Sequence, residues 1–340
     1  MISRKKYLAE RVVFVDGLPG CGKTLFSPIV AAMDRVELLS YAYEIEHYCA
    51  LQFLNELSME SAKAQVSMMT DMQLYDNTMG RRVNFRPSDL SSAIQDCDPS
   101  RYFQRLFQDG DSSTVEVIKK NKPILNLTTH QLLAHSEPIW SALGDRCTFI
   151  EVVRHPLYMV RQQLLNIDNL YDAVNFFTVR FLHNDKEIPY FAKGWEDDFI
   201  SSSGIERVIH CIYHLTKRTE KVKGSLKKRY SEQIITIPFE DFVLNPGKWV
   251  QQISHALGSS ITSHTRAAMK KQNVPRSRIS QGIDIPVYRR CGWVPPMEGL
   301  TEREELMVRR EEVLSDCSKE VRFKLNYICD QYEEKYWKPA

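Results

Sequence analysis

The chain has 340 residues, 43% of them apolar, enough to build a large core without disulfide staples. Its 45 Lys and Arg against 43 Asp and Glu leave a net charge of +2, so no global field draws it to nucleic acid or to an acidic membrane, and any anion site has to be local. No stretch approaches the roughly 18 consecutive apolar residues of a transmembrane segment, the first residues lack the apolar run of a signal sequence, and the eight cysteines form no C-x-x-C pair. The chain therefore reads as a reduced cytoplasmic protein without a nucleic-acid partner.

The β-branched run Val12–Asp16 predicts a first buried strand. It leads directly into Gly17-Leu18-Pro19-Gly20-Cys21-Gly22-Lys23-Thr24, a complete G-x-x-x-x-G-K-T, and then into a helical stretch, Leu25–Met33. Glycines let backbone N–H groups close around phosphate oxygens, the helix start adds partial positive charge, and Lys23 adds a full one. A weaker strand near Val36–Leu39 precedes helices at Tyr41–Leu57 and Met59–Tyr75. Residues 76–115 mix breakers with Arg81, Arg82 and Arg86 and give one short helix, Phe103–Phe107, so 40–115 reads as an insertion covering an acceptor site.

Further strands are expected at Pro123–Leu127, Cys147–Val153 and Gln233–Ile237, with helices at Ile205–Lys223 and Trp249–Leu257. Thr301 and Glu304 form a capping box that opens the C-terminal helices of 297–340. No linker or repeat divides the chain, and strand alternates with helix. The fold class is therefore α/β, a P-loop NTPase-like doubly wound parallel sheet with helical insertions in a single unit.

The loop alone does not choose its ligand. A triphosphate user also needs a Mg²⁺ carboxylate at the end of a neighbouring strand. Here the run Glu151-Val152-Val153-Arg154 ends in a cation, which suits a second phosphate, while Asp16 at the end of the first strand remains available to a kinase as base or metal ligand. His155, before Pro156, reads as a structural turn residue. His210 and His214 have the i, i+4 spacing of metal ligands, a spacing that by itself is usually incidental. The basic run from Lys217 to Arg229 reads as a solvated helix end.

Three segments resemble the sulfotransferases that use 3′-phosphoadenosine 5′-phosphosulfate. Phe149-Ile150-Glu151-Val152-Val153-Arg154-His155-Pro156 is similar to that family's strand ending in Arg-Asn-Pro or Arg-His-Pro, which implies that Arg154 binds the 3′-phosphate. Gln162 stands where the family usually has a second 3′-phosphate ligand, a serine. Ile235–Pro246 resembles the strand, Tyr-Glu-Asp-Leu turn and Asn-Pro of the family, with Phe239 in place of the tyrosine near the adenine. Leu127-Thr128-Thr129-His130 resembles Lys-Thr-His, which implies His130 as general base, with His135 and Glu137 as competitors and Thr128 replacing the lysine. Tyr288–Trp293 is a loose counterpart of the stretch that closes over the 3′-phosphate and nominates Arg289 and Arg290.

What the resemblance implies is sulfuryl transfer from 3′-phosphoadenosine 5′-phosphosulfate, without a metal, to a hydroxyl or amine acceptor such as a carbohydrate, lipid or small metabolite. Lys23 and His130 would be catalytic, with Gly20, Cys21, Gly22, Lys23 and Thr24 holding the 5′-phosphate and sulfuryl group. The alternatives are a small-molecule kinase using Mg·ATP and a non-catalytic nucleotide-binding module.

Overall fold

The computed structural model describes residues 6–337 except 173, 175, 280, 282–298 and 316. Its frame is a parallel sheet in which β1 (Val12–Asp16) is central, flanked on one side by β3 (Leu125–Thr128) and the short edge strand β2 (Ser40–Tyr41), and on the other by β4 (Cys147–Val153) and β7 (Ile234–Pro238). A separate antiparallel hairpin pairs β5 (Arg180–His183) with β6 (Lys186–Pro189).

The helices are α1 (Lys23–Ala31), α2 (Tyr43–Leu54), α3 (Met59–Met79), α4 (Ser100–Arg105), α5 (Asp111–Asn121), α6 (Glu137–Leu143) and α7 (Pro156–Asp172). They continue with α8 (Glu196–Ser201), α9 (Gly204–Tyr230), α10 (Phe239–Leu244), α11 (Pro246–Leu257), α12 (Ser263–Lys271), α13 (Glu302–Leu314) and α14 (Lys319–Tyr336). None of the described helices is long and apolar enough to cross a membrane.

Successive side chains of a strand point to opposite faces, and both faces of this sheet are covered. Val13 and Val15 of β1 join one core with Phe26, Ile150 and Val152, whereas Val12 and Phe14 join the other with Leu125, Leu127 and Phe149. Phe14 and Phe149 stand opposite each other in the ladder and stack at 4.9 Å. The α/β class and the parallel sheet are as the sequence predicts, and β1 and β4 match their expected bounds to the residue.

Several boundaries differ. The stretch Val36–Leu39 makes a lone parallel bridge to Ile124, and the paired strand comes later, at Ser40–Tyr41. The helix expected to end at Lys223 continues through Gly224 to Tyr230, where Lys227, Lys228 and Arg229 in its last turn face the negative end of the helix dipole. The hairpin β5–β6 was not expected. Its turn residues Asn184 and Asp185 both have positive φ, 49° and 60°, the conformation that a two-residue hairpin turn requires.

In this strand order the chain leaves β1 toward β2 and β3 on one side and leaves β4 toward β7 on the other, so the carboxyl ends of β1 and β4 open onto one crevice.

Candidate functional site

The loop after β1 is shaped by two glycines that no other residue can replace. Gly17 has φ +145°, and a Cβ there would lie 2.3 Å from the Val152 carbonyl oxygen. Gly22, the N-cap of α1, has φ +107°, and its Cβ would meet the Phe239 ring at 2.3 Å. Phe239 thus packs beneath the loop, 4% exposed. The first N–H groups of a helix lack intrahelical acceptors, so the start of α1 at Lys23 aims its donors across the loop. The Lys23 ammonium itself curls back, donating to the carbonyls of Gly17 at 2.5 Å and Leu18 at 3.2 Å.

Arg154 follows the last residue of β4 and turns onto the same loop. Its Nη1 donates to the Gly20 carbonyl at 3.0 Å, and its guanidinium carbon lies 4.5 Å from the Phe239 ring centre and 5.2 Å from that of Tyr158. Arg154 Nε is buried without a hydrogen-bond partner among the described residues. From α7, Gln162 brings its amide oxygen to 3.4 Å from the Cβ position of Gly20. Gly20, Gly22, Lys23, Arg154, Gln162 and Phe239, spread over more than 200 residues of sequence, therefore meet around one loop, with Cys21 and Thr24 inside it. Arg289 and Arg290 lie outside the described residues.

At the end of β1, Asp16 is engaged by its neighbours. Thr129 Oγ1 donates to Oδ1 at 2.8 Å, and the backbone N–H groups of Leu132 and Leu133 donate at 2.9 and 2.8 Å. With a carboxylate 1% exposed and three donors on it, Asp16 anchors the chain that follows β3. Asp16→Asn replaces an acceptor with a donor that faces a backbone N–H. It is expected to cost about 2 kcal/mol of unfolding free energy, measured by urea denaturation; an unchanged midpoint would show that the loop does not depend on this residue.

His130 stands at the end of that segment. Its backbone N–H and ring Nδ1 both reach Glu46 Oε1 of α2, at 2.7 and 3.2 Å, and its ring lies parallel to those of Tyr41 and Tyr43, each with centroids 6.3 Å away. The imidazole remains 39% exposed. Thr128, in the lysine position of the resemblance, turns instead into the core and bonds Ser27 at 3.0 Å. His135 is sealed between Phe53 and Tyr190, with Arg218 3.4 Å from its Nε2. Burial and the Arg218 charge push its pKa well below the ordinary histidine value. Glu137, the first residue of α6, is exposed.

A cavity of about 960 Å³ adjoins the loop at Gly17, Leu18 and Arg154, and its far walls are α9 and α14. From 40–115 only Gln52 and Phe53 line it; that segment instead forms a smaller hollow of about 300 Å³ beside Tyr41 and Tyr43. On the wall of the larger cavity Glu151 accepts from Lys223 at 2.7 Å and Thr236 at 2.6 Å, not from Arg154. Burial disfavours the Lys223 charge, but the Glu151 carboxylate outweighs it and holds the lysine above its ordinary range. His155 is structural, as expected: it is fully buried, with its N–H on Glu240 at 3.1 Å and its ring on Glu333 at 3.1 Å.

The partners Glu46, Tyr41 and Tyr43 of His130 were not anticipated. They come from β2 and α2, more than 80 residues earlier, and no local pattern links them to it.

No family model matches the chain, and no curated protein matches it in sequence. Among solved structures it is similar to the sulfotransferase domain of the Synechococcus PCC 7002 olefin synthase, with 11% identity over 97% of this chain and 96% of that one and a TM-score of 0.43. It is similar also to the sulfotransferase domain from the curacin biosynthetic pathway, with 12% identity over 95% and 97% and a TM-score of 0.45. A sulfotransferase from Mycobacterium avium matches with 14% identity over 92% and 78% and a TM-score of 0.40. No residue role transfers at these identities.

Proposed function

We propose that the chain transfers a sulfuryl group from 3′-phosphoadenosine 5′-phosphosulfate to a hydroxyl acceptor. The observation that carries this reading is Arg154: an arginine from the end of β4 bends onto the phosphate loop and holds a buried, unpartnered N–H beside it. An anion fits that donor, and the nearest strand-end carboxylate, Asp16, is occupied by three protein donors rather than held open for Mg²⁺.

In this mechanism the amides of Gly20–Thr24 and the Lys23 ammonium bind the 5′-phosphate and meet the negative charge that spreads over the transferring oxygens. Arg154 and Gln162 take the 3′-phosphate. His130, with Nδ1 turned to Glu46, presents Nε2 to the acceptor. As the acceptor oxygen bonds to sulfur, its proton passes to Nε2, the sulfur–oxygen bond to the 5′-phosphate breaks, and adenosine 3′,5′-bisphosphate leaves. Gln131, next to His130, lines the cavity beside Gly17 and Leu18 and donates its backbone N–H to the Gly17 carbonyl at 3.1 Å, which sets the base at the edge of the space from which the acceptor enters.

The complete G-x-x-x-x-G-K-T favours one competing reading, a kinase using Mg·ATP. Calorimetric titration with adenosine 3′,5′-bisphosphate in EDTA, and separately with Mg·ATP, separates the two. Bisphosphate binding without metal is expected. Arg154→Ala should weaken it by about 30- to 100-fold, the worth of a charge-assisted contact, while changing ATP affinity far less. Binding of Mg·ATP alone would overturn the proposal.

A further inference from the structure

Away from the phosphate loop, Asp198 of α8 and His210 and His214 of α9 bring one carboxylate oxygen and two imidazole nitrogens within 4.8 Å of one another. His210 Nδ1 lies 3.4 Å and His214 Nε2 3.7 Å from Asp198 Oδ2. Donors bound tetrahedrally to zinc at about 2.0–2.2 Å stand roughly 3.4 Å apart, so the trio needs little adjustment to share an ion. The sequence shows only the two histidines; the acid reaches them through the turn between α8 and α9.

Two further features single out this spot. His214 Nε2 is shut off from solvent and has no hydrogen-bond partner among the described residues. A positive charge also already rests there: the Lys324 ammonium of α14 lies 3.1 Å from His210 Nδ1 and 3.2 Å from Asp198 Oδ2. The same ammonium is 2.7 Å from Glu320, one turn back on α14, which can hold it when another cation takes its place. Trp195 stacks on the His214 ring at 4.7 Å with planes 6° apart and fixes its orientation. His214 also borders the large cavity.

We propose that Asp198, His210 and His214 form a site for a divalent transition metal of the zinc class, which displaces the Lys324 ammonium and ties α8 to α9. Two imidazoles and one carboxylate suit Zn²⁺, Co²⁺ or Ni²⁺ and disfavour Mg²⁺ or Ca²⁺, which prefer all-oxygen sets. The site is independent of the sulfuryl-transfer reading and stands or falls separately from it.

The test is titration of the full chain with Co²⁺, followed by the visible absorption of tetrahedral cobalt and by quenching of tryptophan fluorescence, with Zn²⁺ competing. One equivalent is expected to bind. Affinity should fall at least about tenfold in His214→Ala and in Asp198→Asn, which keeps the shape of the side chain. It should rise about tenfold in Lys324→Met, where the competing charge is gone. Failure of both the wild-type chain and Lys324→Met to bind Co²⁺ overturns the proposal, as does binding undiminished in Asp198→Asn.

Discussion

Gly17→Ala is expected to lose about 3–5 kcal/mol of unfolding free energy and, on the reading proposed above, the nucleotide binding that depends on the loop. The new Cβ would sit 2.3 Å from the Val152 carbonyl oxygen and 2.7 Å from Cys21 Sγ, and the first of these is backbone in the middle of a five-stranded sheet. Neither β4 nor the loop can retreat without breaking the ladder in which Asp16 pairs with Glu151. The left-handed φ of +145° adds conformational strain to the clash. Gly194→Ala separates the two effects, because Gly194 has φ +94° with nothing within 4 Å of its Cβ position, so only strain of about 1 kcal/mol remains. Equal urea midpoints for the two variants would show that the loop does not press on β4.

The second large effect is expected from Glu37→Gln, at about 3–5 kcal/mol. Glu37 is 2% exposed and receives both terminal nitrogens of Arg105, at 2.7 and 2.9 Å, with Arg101 at 3.8 Å. The two guanidiniums lie 4.6 and 5.0 Å from the Tyr102 ring centre, so α4 is clasped by charge to the chain beside β3. The amide would leave one buried guanidinium charge without its counter-ion. Burial by itself would raise the Glu37 pKa, but the hydrogen bonds and charge of Arg105, with Arg101, hold it below the ordinary carboxylate value. Protons therefore bind the unfolded chain more tightly than the folded one. The pair's contribution is complete above the ordinary carboxylate pKa, about 4.5, and drains away as pH falls through the lower folded value. Wild-type stability should decline across that acidic window, and Glu37→Gln should show a shallower decline. A cost under 1 kcal/mol for the substitution would mean that the clasp is open in solution.

What the sequence made legible follows from how local each signal is. The strands β1 and β4 and the phosphate loop are contiguous strings whose apolar runs end abruptly in glycine or arginine, so their bounds and order could be read directly. The strand expected near Val36–Leu39 falls too early, because Glu37 turns to arginines about 65 residues further on and the pairing comes only at Ser40–Tyr41. The hairpin at Arg180–Pro189 did carry a local sign, the Asn184-Asp185 turn, but its strands are only four residues long and mixed in polarity. The site divides in the same way. Arg154 and the loop belong to motifs, whereas the Glu46–His130 contact exists only once α2 packs against the chain after β3, and the meeting of Asp198 with His210 and His214 only once the turn between α8 and α9 folds the two helices together. Burial also decided what spacing could not: His135 and His130 are equivalent by position after β3, and packing encloses one and leaves the other open.

The Lys23 ammonium, resting on the carbonyls of Gly17 and Leu18, sets a threshold for whatever enters the loop. An incoming group has to draw the ammonium off two oxygens at once and leave both to water. A water molecule offers the ammonium little more than those carbonyl dipoles already provide, a singly charged anion offers one full charge, and a phosphate dianion offers two. On the phosphate-binding reading proposed above, this exchange favours the group of higher charge, so valence as well as shape counts in what the loop takes up.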